Sequence, residues 1–440
     1  MRLITAIVGA LLVFTACDND LSQSPPNIAS SNSLTDYEGV LNAAYFYQIG
    51  SATPMGVMGD FRADNAFMFE PPYTEFDEFD GDLTAMDDQF FNPFYSALYK
   101  SILSANNVIE NSEDATQVGE AKFLRALSYF KLVRVFGDVP INLSATPSVT
   151  DPAVLVRQPA ADVYNNVIIP DLQDAISALD NSGIADGRAS MLAAQALLGK
   201  VHVQRGDFAS ARGPLAAVVN GAAAAGVELQ ENYADVFGVN NDLNGEIIFA
   251  TQFSSSIPDE YGFSEFWSWY GGLDTKSLEP LDEDLIEAFG GRDSEDLRFP
   301  VVVDTTTFTD SDKYPQEGGP DHDWVELRLA DVLLLYAETL NETGASPAEA
   351  LAVIDPIRER AGLDDLDPGE LDSQSEVRDA ILRERRLELA FEGQYWFDLV
   401  RTGTVNDALG QNVNPNYHLF PIPVSEILSS FGVITQNEGY

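Results

Sequence analysis

The sequence predicts a mostly α-helical protein, a superhelix of paired helices beside a loop-rich, irregular part. Three observations predict it. Apolar residues recur at helical spacing in nine segments, one stretch carries a helix-pair repeat signature, and two long stretches keep neither helical nor strand periodicity. The chain has 440 residues, 45% of them hydrophobic, which is ample for a large core.

The helices are expected at 35–48, 88–110, 117–136, 160–179, 189–205, 208–220, 323–342, 347–361 and 376–391. Ser346-Pro347-Ala348-Glu349 offers an N-cap Ser, Pro at the first helical position and Glu at the third. Ser373-Gln374-Ser375-Glu376 reads as a second capping box. Val325, Leu329, Val332, Leu333, Tyr336 and Leu340 form one apolar stripe.

Within 194–218, Leu198-Gly199, His202, Gly206-Asp207-Phe208, Ala211, Leu215 and Val218 fall where a tetratricopeptide repeat places its Leu-Gly, bulky residue, turn and second-helix small residues. Gly199 permits close helix approach, Gly206-Asp207 makes the turn, and His202 reads as a packing residue. Residues 333–351 give a looser copy. Helix pairs cannot bury their apolar faces alone, so further degenerate copies are expected. The irregular stretches are 51–87, rich in Phe, Asp and Pro, and 240–310, with short β-like runs at 246–251 and 299–303. Loops of that length inside a compact domain are usually functional.

Acidic residues number 70 and basic residues 24, a formal net charge of −46. Phosphate binding needs clustered Lys and Arg, so nucleic acid is excluded as a partner, and so is adhesion to an anionic lipid surface by charge. Self-repulsion on this scale fits a saline habitat, and equally a plain acidic secreted protein. One cysteine excludes an internal disulfide. The three histidines, His202, His322 and His418, show no metal-ligand spacing, and no metal or cofactor is expected.

Residues 1–16 read as a signal peptide: Arg2, an apolar run from Leu3 to Phe14, then Thr15-Ala16. The run is too short to span a bilayer. Cys17 follows directly, and the segment resembles a bacterial lipobox, with Phe14 where Leu is usual. Cys17 is therefore the expected lipid-attachment residue. Asp18-Asn19-Asp20 resembles the export tag of Bacteroidetes-type surface lipoproteins, and 17–33 reads as a tether.

Five segments carry a wider resemblance: GEAKFLRALSYFKLVRVFGDVPI at 119–141, DWVELRLADVLLLYAETLNE at 323–342, VIDPIRERAGL at 353–363, ILRERRLELAFEGQYWFDLVRTG at 381–403, and 419–440 with PIPVSEI and the terminal QNEGY. In that order they resemble the SusD/RagB family of outer-membrane nutrient-uptake lipoproteins, over nearly the whole chain after Cys17. The resemblance implies a SusD-like fold, with an N-terminal helical-repeat region at 34–230 and a C-terminal region at 231–440 packed together. It also implies trimmed loops near 301–320. Function follows as an expectation: a surface-exposed, lipid-anchored, non-enzymatic protein of the outer membrane. It would bind oligo- or polysaccharide and deliver it to a SusC-like TonB-dependent transporter, closing over the barrel.

Arg383, Glu384, Arg385, Arg386 and Glu388 look catalytic in isolation but read better as inter-helix ion pairs packed by Trp396 and Phe397, and so do Arg125, Arg134 and Asp138. Glycan binding asks for flat aromatic faces and a few hydroxyl-bonding groups. Trp267, Trp269 and Tyr270, in FSEFWSWY, are candidates, because on an extended segment the two Trp would share a face. They fit a core equally well. The stretch at 64–79 adds Asp64, Asn65 and Tyr73, with Phe67, Phe69 and Phe76 read as core. By the resemblance, the family builds its glycan site from loop aromatics before and after the first repeats, where both stretches fall. Asp77, Glu78, Asp80, Asp82, Asp87 and Asp88 are dense oxygen donors without EF-hand spacing, and read as a solvated loop. Two other readings stay open: a tetratricopeptide lipoprotein that binds peptides or scaffolds proteins, and a glycoside hydrolase built on two carboxylates.

Overall fold

The computed structural model describes residues 37–440 apart from 80, 82, 149–150, 257–264, 274–277, 318 and 372. Cys17, the expected signal peptide and the tether lie outside the described residues. The chain is mostly helical, and each helix packs on the next. Helices α1 (Glu38–Phe46), α2 (Asn92–Asn111), α3 (Ala115–Phe136), α4 (Ile169–Ala178), α5 (Met191–Gln204) and α6 (Phe208–Gly221) stack in succession. Caps explain several starts. Asp114 accepts from Thr116 N at 2.8 Å to open α3, Ser190 accepts from Ala193 N at 3.0 Å to open α5, and Asp207 accepts from Ser210 N at 3.2 Å to open α6.

The repeat signature holds at atomic distance. A Cβ on Gly199 would lie 2.4 Å from Leu215 Cδ2, so only glycine lets α5 and α6 approach this closely. Gly206, at φ +69°, turns the chain between them. His202 is buried against the turn, as expected of a packing residue.

Two short antiparallel ladders interrupt the helices: β1 (Val139–Pro140) with β2 (Arg157–Gln158), and β3 (Ile247–Thr251) with β4 (Trp324–Arg328). The run at 246–251 is thus a strand, as read. β4 overturns part of the expected helix 323–342, which starts instead at Leu329 as α8 (Leu329–Glu342). The second β-like run also differs: Phe299–Val302 is a helical turn opened by Pro300. The expected helix 347–361 is two, α9 (Pro347–Leu351) and α10 (Asp355–Arg360), the second carrying Pro356 in its first turn. Both capping boxes form, at α9 and at α11 (Gln374–Glu388). α8 packs on α6 and α11, extending the stack. α12 (Tyr395–Thr402) and α13 (Val424–Ser429) follow.

Glu384, Arg385 and Glu388 of α11 form ion pairs, as read, whereas Arg383 is exposed and donates to the Ala288 carbonyl at 3.0 Å. Arg298 donates to Glu384 at 2.6 Å and to Glu388 at 3.1 Å. Arg328 donates to Glu246 at 2.8 Å, to Glu388 at 2.6 Å and to Glu392 at 2.8 Å. Arg385 binds Asp331 at 2.8 Å and Asp398 at 3.1 Å. The guanidiniums of Arg298, Arg328 and Arg385 are buried, so each requires its carboxylates. Arg125 forms a two-pronged pair with Asp171. Arg134 and Asp138 do not form the expected ion pairs: Arg134 lies 4.2 Å over the Phe397 ring, and Asp138 accepts from Ala160 N at 2.8 Å.

Candidate functional site

A buried carboxylate organises the region where the sequence placed its candidates. Asp60 is fully buried. One oxygen accepts from Asn65 Nδ2 at 2.9 Å and Phe391 N at 3.3 Å, the other from Gly393 N at 2.8 Å and Tyr270 Oη at 2.9 Å. Burial pushes this carboxyl up, and the hydrogen bonds from Asn65, Gly393 and Tyr270 pull it back. A carboxylate this deep persists only when its lone pairs are filled. Filling them ties three segments together: the loop 60–65, helix α7 (Phe266–Tyr270) and the turn 391–393.

Backbone bonds extend the junction. Phe67 N donates to Pro280 O at 2.9 Å, Ala66 bridges Leu281, and Ser311 N donates to Tyr270 O at 3.0 Å. The two irregular stretches are therefore brought together. Glycine makes the closest approach possible: a Cβ on Gly59 would sit 2.3 Å from the Gly393 carbonyl carbon.

The aromatics divide sharply. Trp269 and Tyr270 are each 1% exposed. Phe61 stacks on Tyr270 at 5.6 Å, and Tyr73 and Phe90 close on Trp269 at 5.9 and 5.7 Å. These two candidates are core rings with no face left for a sugar, which corrects the expectation of a three-residue platform. The reason is the backbone. The segment is a helical turn, not an extended run. Two positions along a helix turn by about 200°, so Trp267 and Trp269 point opposite ways. Trp267 alone is partly open, with its ring edge 3.9 Å from where a Gly319 Cβ would stand.

The earlier loop divides too. Asn65 is fully buried and serves Asp60, so it is unavailable to a ligand. Tyr73 is partly buried and its hydroxyl donates to Gln89 Oε1 at 2.6 Å. Phe76 is core as expected, Phe67 is partly buried, and Phe69 is 47% exposed, against the core reading. Asp64 is partly open. Burial first, then Asp282 and Asp284, push it up to about 6, against the pull of Arg386. Burial and the charges of Asp64 and Asp282 push Asp77 up to about 8.

Arg386 was read from sequence only as part of an ion-pair run. Here it donates to Asp64 O at 2.6 Å and Asn65 Oδ1 at 3.0 Å, with its guanidinium 4.4 Å over the Tyr395 ring. Arg386, Tyr395 and Asp64 form a partly open polar and aromatic group. No sequence signal marked it, because Arg386 sits in a run of charges that is otherwise structural. The described contacts of Trp267 run toward Gly271 and Gly319, and do not join it to this group. Among the described residues, no group of three or more His, Cys, Asp or Glu is arranged to hold a metal ion, and no helix is long and apolar enough to cross a membrane. Asp87, from the acidic loop, accepts from Val424 N at 2.9 Å.

A family model described as the SusD family matches residues 301–440, and one described as starch-binding associating with outer membrane matches residues 18–203. A SusD-like protein P2 of Formosa agariphila is 26% identical over 80% of this chain and 81% of its own. A SusD superfamily structure from Parabacteroides distasonis superposes with a TM-score of 0.75 over 94% of this chain and 100% of that one, at 22% identity, a likeness of fold alone. A solved laminarin binding SusD-like protein superposes with a TM-score of 0.71 over 92% of this chain and 99% of that one, at 26% identity.

Proposed function

We propose that this chain, which belongs to the SusD/RagB family, binds oligo- or polysaccharide at the outer face of the outer membrane and passes it to a SusC-like TonB-dependent transporter. Cys17 carries its lipid anchor on this reading, and the chain performs no chemistry on its cargo. The observation that carries the proposal most is the likeness to the laminarin-binding protein, which spans almost the whole of both chains. The geometry supports it. Trp267 offers a partly open ring, and Arg386, Tyr395 and Asp64 offer the hydroxyl-bonding and stacking groups a sugar needs. Both rest on segments fixed through Asp60, so little ordering remains for the ligand to impose. Delivery requires release, so a modest affinity suits the task.

The test is affinity electrophoresis of residues 18–440 against a panel of polysaccharides that includes laminarin and starch, followed by calorimetry. Retention by one of them is expected, weakened about tenfold by Trp267→Ala or Arg386→Ala, the scale of one stacked ring or charged hydrogen bond. A folded protein retained by none of them transfers the weight to peptide cargo. Reducing-sugar release during incubation would instead revive a hydrolase.

A further inference from the structure

A second cleft shares no residue with the group formed by Arg386, Tyr395 and Asp64. Of about 500 Å³, it is walled by Tyr95, Tyr99 and Leu103 of α2, by Pro140 of β1, by Leu155 and by Ile434. Segments far apart in the sequence build it, and hydrogen bonds hold them in place. Asn106 of α2 donates to the carbonyls of Asn142 and Ser144 at 3.1 and 3.2 Å, and Tyr129 of α3 donates to the Asn142 carbonyl at 3.0 Å. Val424 N donates to Asp87 at 2.9 Å, which fixes the start of α13. The cleft is therefore preformed.

Its wall is mainly apolar, and polar atoms along it are already hydrogen-bonded within the protein. The Tyr99 hydroxyl donates to Pro140 O at 2.7 Å, and Asn142 Oδ1 accepts from Ser144 N at 3.1 Å. Tyr95 and Tyr99 lie side by side, with ring centroids 4.7 Å apart. Two charged residues line the cleft, Lys100 of α2 and Glu426 of α13. Lys100 is exposed, and its ammonium stands 5.9 Å from the centroid of Tyr47, a ring that does not line the cleft. Glu426 is half-buried. Burial pushes its carboxyl up, the charge of Asp87 adds to the push, and no cation among the described residues offsets either. A carboxylate withdrawn from water without a cation is unfavourable for the isolated chain.

This chemistry selects the ligand. An anion is repelled by Glu426 and by the net charge of −46. A sugar needs hydroxyl-bonding groups, and those of Tyr99 and Asn142 are engaged. A hydrated metal ion would satisfy the carboxylate and leave the apolar wall unserved. An organic ammonium ion meets both, because its charge pairs with the carboxylate, its apolar body fills the cleft and its cationic end is attracted to tyrosine rings. We infer that this cleft is a second binding site, for a small organic ammonium ion with an apolar body, held by the carboxylate of Glu426 against Tyr95 and Tyr99. A volume of about 500 Å³ suits a ligand the size of an arylalkylamine. The site does not depend on the glycan reading.

Residues Glu38–Tyr440 form one compact unit with its own core, so the experiment uses residues 18–440. Calorimetry at neutral pH in high, constant NaCl, which screens the acidic coat, compares three probes of similar shape: phenethylammonium, phenethyl alcohol and hydrocinnamate. One site is expected, filled by phenethylammonium about tenfold more tightly than by the alcohol, and not filled by hydrocinnamate. Glu426→Gln should abolish the tenfold preference and leave the affinity for the alcohol as it was. It removes a half-buried charge that no cation offsets, so its thermal midpoint should be no lower than the parent's. Ser96→Phe, which places a ring in the cleft, should abolish binding of both probes. Equal affinity for ammonium and alcohol, an ammonium affinity that survives Glu426→Gln, or no binding of the ammonium at all overturns the proposal. Binding that Ser96→Phe leaves intact places the amine elsewhere on the acidic coat and also overturns it. Glycan retention is expected to be unchanged in both variants, and its loss in either, with the thermal midpoint intact, assigns the cleft to the glycan and overturns the proposal as well.

Discussion

Glu388→Gln should remove much of this protein's resistance to acid. The side chain is fully buried in α11. It accepts from Arg328 at 2.6 Å, from Arg298 at 3.1 Å, and from Arg360. Burial alone would raise this carboxyl, but the guanidiniums of Arg360, Arg328 and Arg298 outweigh burial and hold it at about 2, against an ordinary value of 4.5. A fall of that size corresponds to about 3 kcal/mol of stability at neutral pH, at about 1.4 kcal/mol per pH unit. Because the folded value is depressed, this stability is fully present above pH 4.5 and is lost as pH falls toward 2. The amide keeps the shape but leaves the three guanidiniums one negative charge short, and breaking a buried pair costs about 3–5 kcal/mol. Urea unfolding at pH 7 and pH 3, in one high-salt buffer, should show a gap between parent and variant of about 3–5 kcal/mol at pH 7, narrowing by about 2 kcal/mol at pH 3. A variant within 1 kcal/mol of the parent at pH 7, or a gap that does not change with pH, would refute the reasoning.

Four further outcomes are expected. Trp269→Ala should cost about 3–5 kcal/mol in chemical denaturation, as a buried aromatic does, while Trp267→Ala should cost less than about 1 kcal/mol, so the two can be told apart before any glycan is added. Gly59→Ala should lower stability by about 3 kcal/mol or fail to fold, because its Cβ meets Gly393 backbone at 2.3 Å and neither segment can retreat; thermal melting reads this directly. Asp77, held up at about 8 by burial and by Asp64 and Asp282, contributes stability at low pH that is lost as pH rises through 8. Asp77→Asn should therefore melt higher than the parent at pH 9 and closer to it at pH 6. Finally, the melting temperature should rise steadily as NaCl is added from low ionic strength, since salt screens a net charge of −46; a flat response would locate that charge in pairs, not in a repelling coat.

What the sequence made legible were features fixed by neighbours along the chain. Capping boxes need residues three apart, and both formed at α9 and α11. The α5–α6 pair needs a glycine facing a leucine across a short turn, and Gly199 and Leu215 supply it. Features set by distant partners were not legible. Val325 and Leu329 continue the apolar stripe of α8, so the period reads as helix, yet residues 324–328 pair with β3, more than seventy residues earlier. Trp267 and Trp269 look alike in the sequence, and only the helical turn beneath them decides that one is core and the other partly open. Asp60 was missed altogether. Nothing local marks one carboxylate among seventy as the one that will be buried among Asn65, Tyr270, Phe391 and Gly393.

The distribution of charge links these findings. Of the 24 basic residues, nine are buried among the described residues, as against ten of the 70 acidic ones. More than a third of the cations are thus inside, where lysine and arginine almost never go unless paired. The ratio follows from the structure. The buried guanidinium of Arg328 in the strand β4 meets three carboxylates and that of Arg385 in α11 meets two, and the guanidiniums around Glu388 and Glu392 hold both ionised. Drawing cations inward leaves fifteen basic and sixty acidic residues in the rest of the chain, so the coat is more one-sided than the composition suggests. A coat of that sign repels copies of itself and anionic surfaces alike. Neutral cargo such as a sugar is indifferent to it and can be met by a few open rings and polar groups.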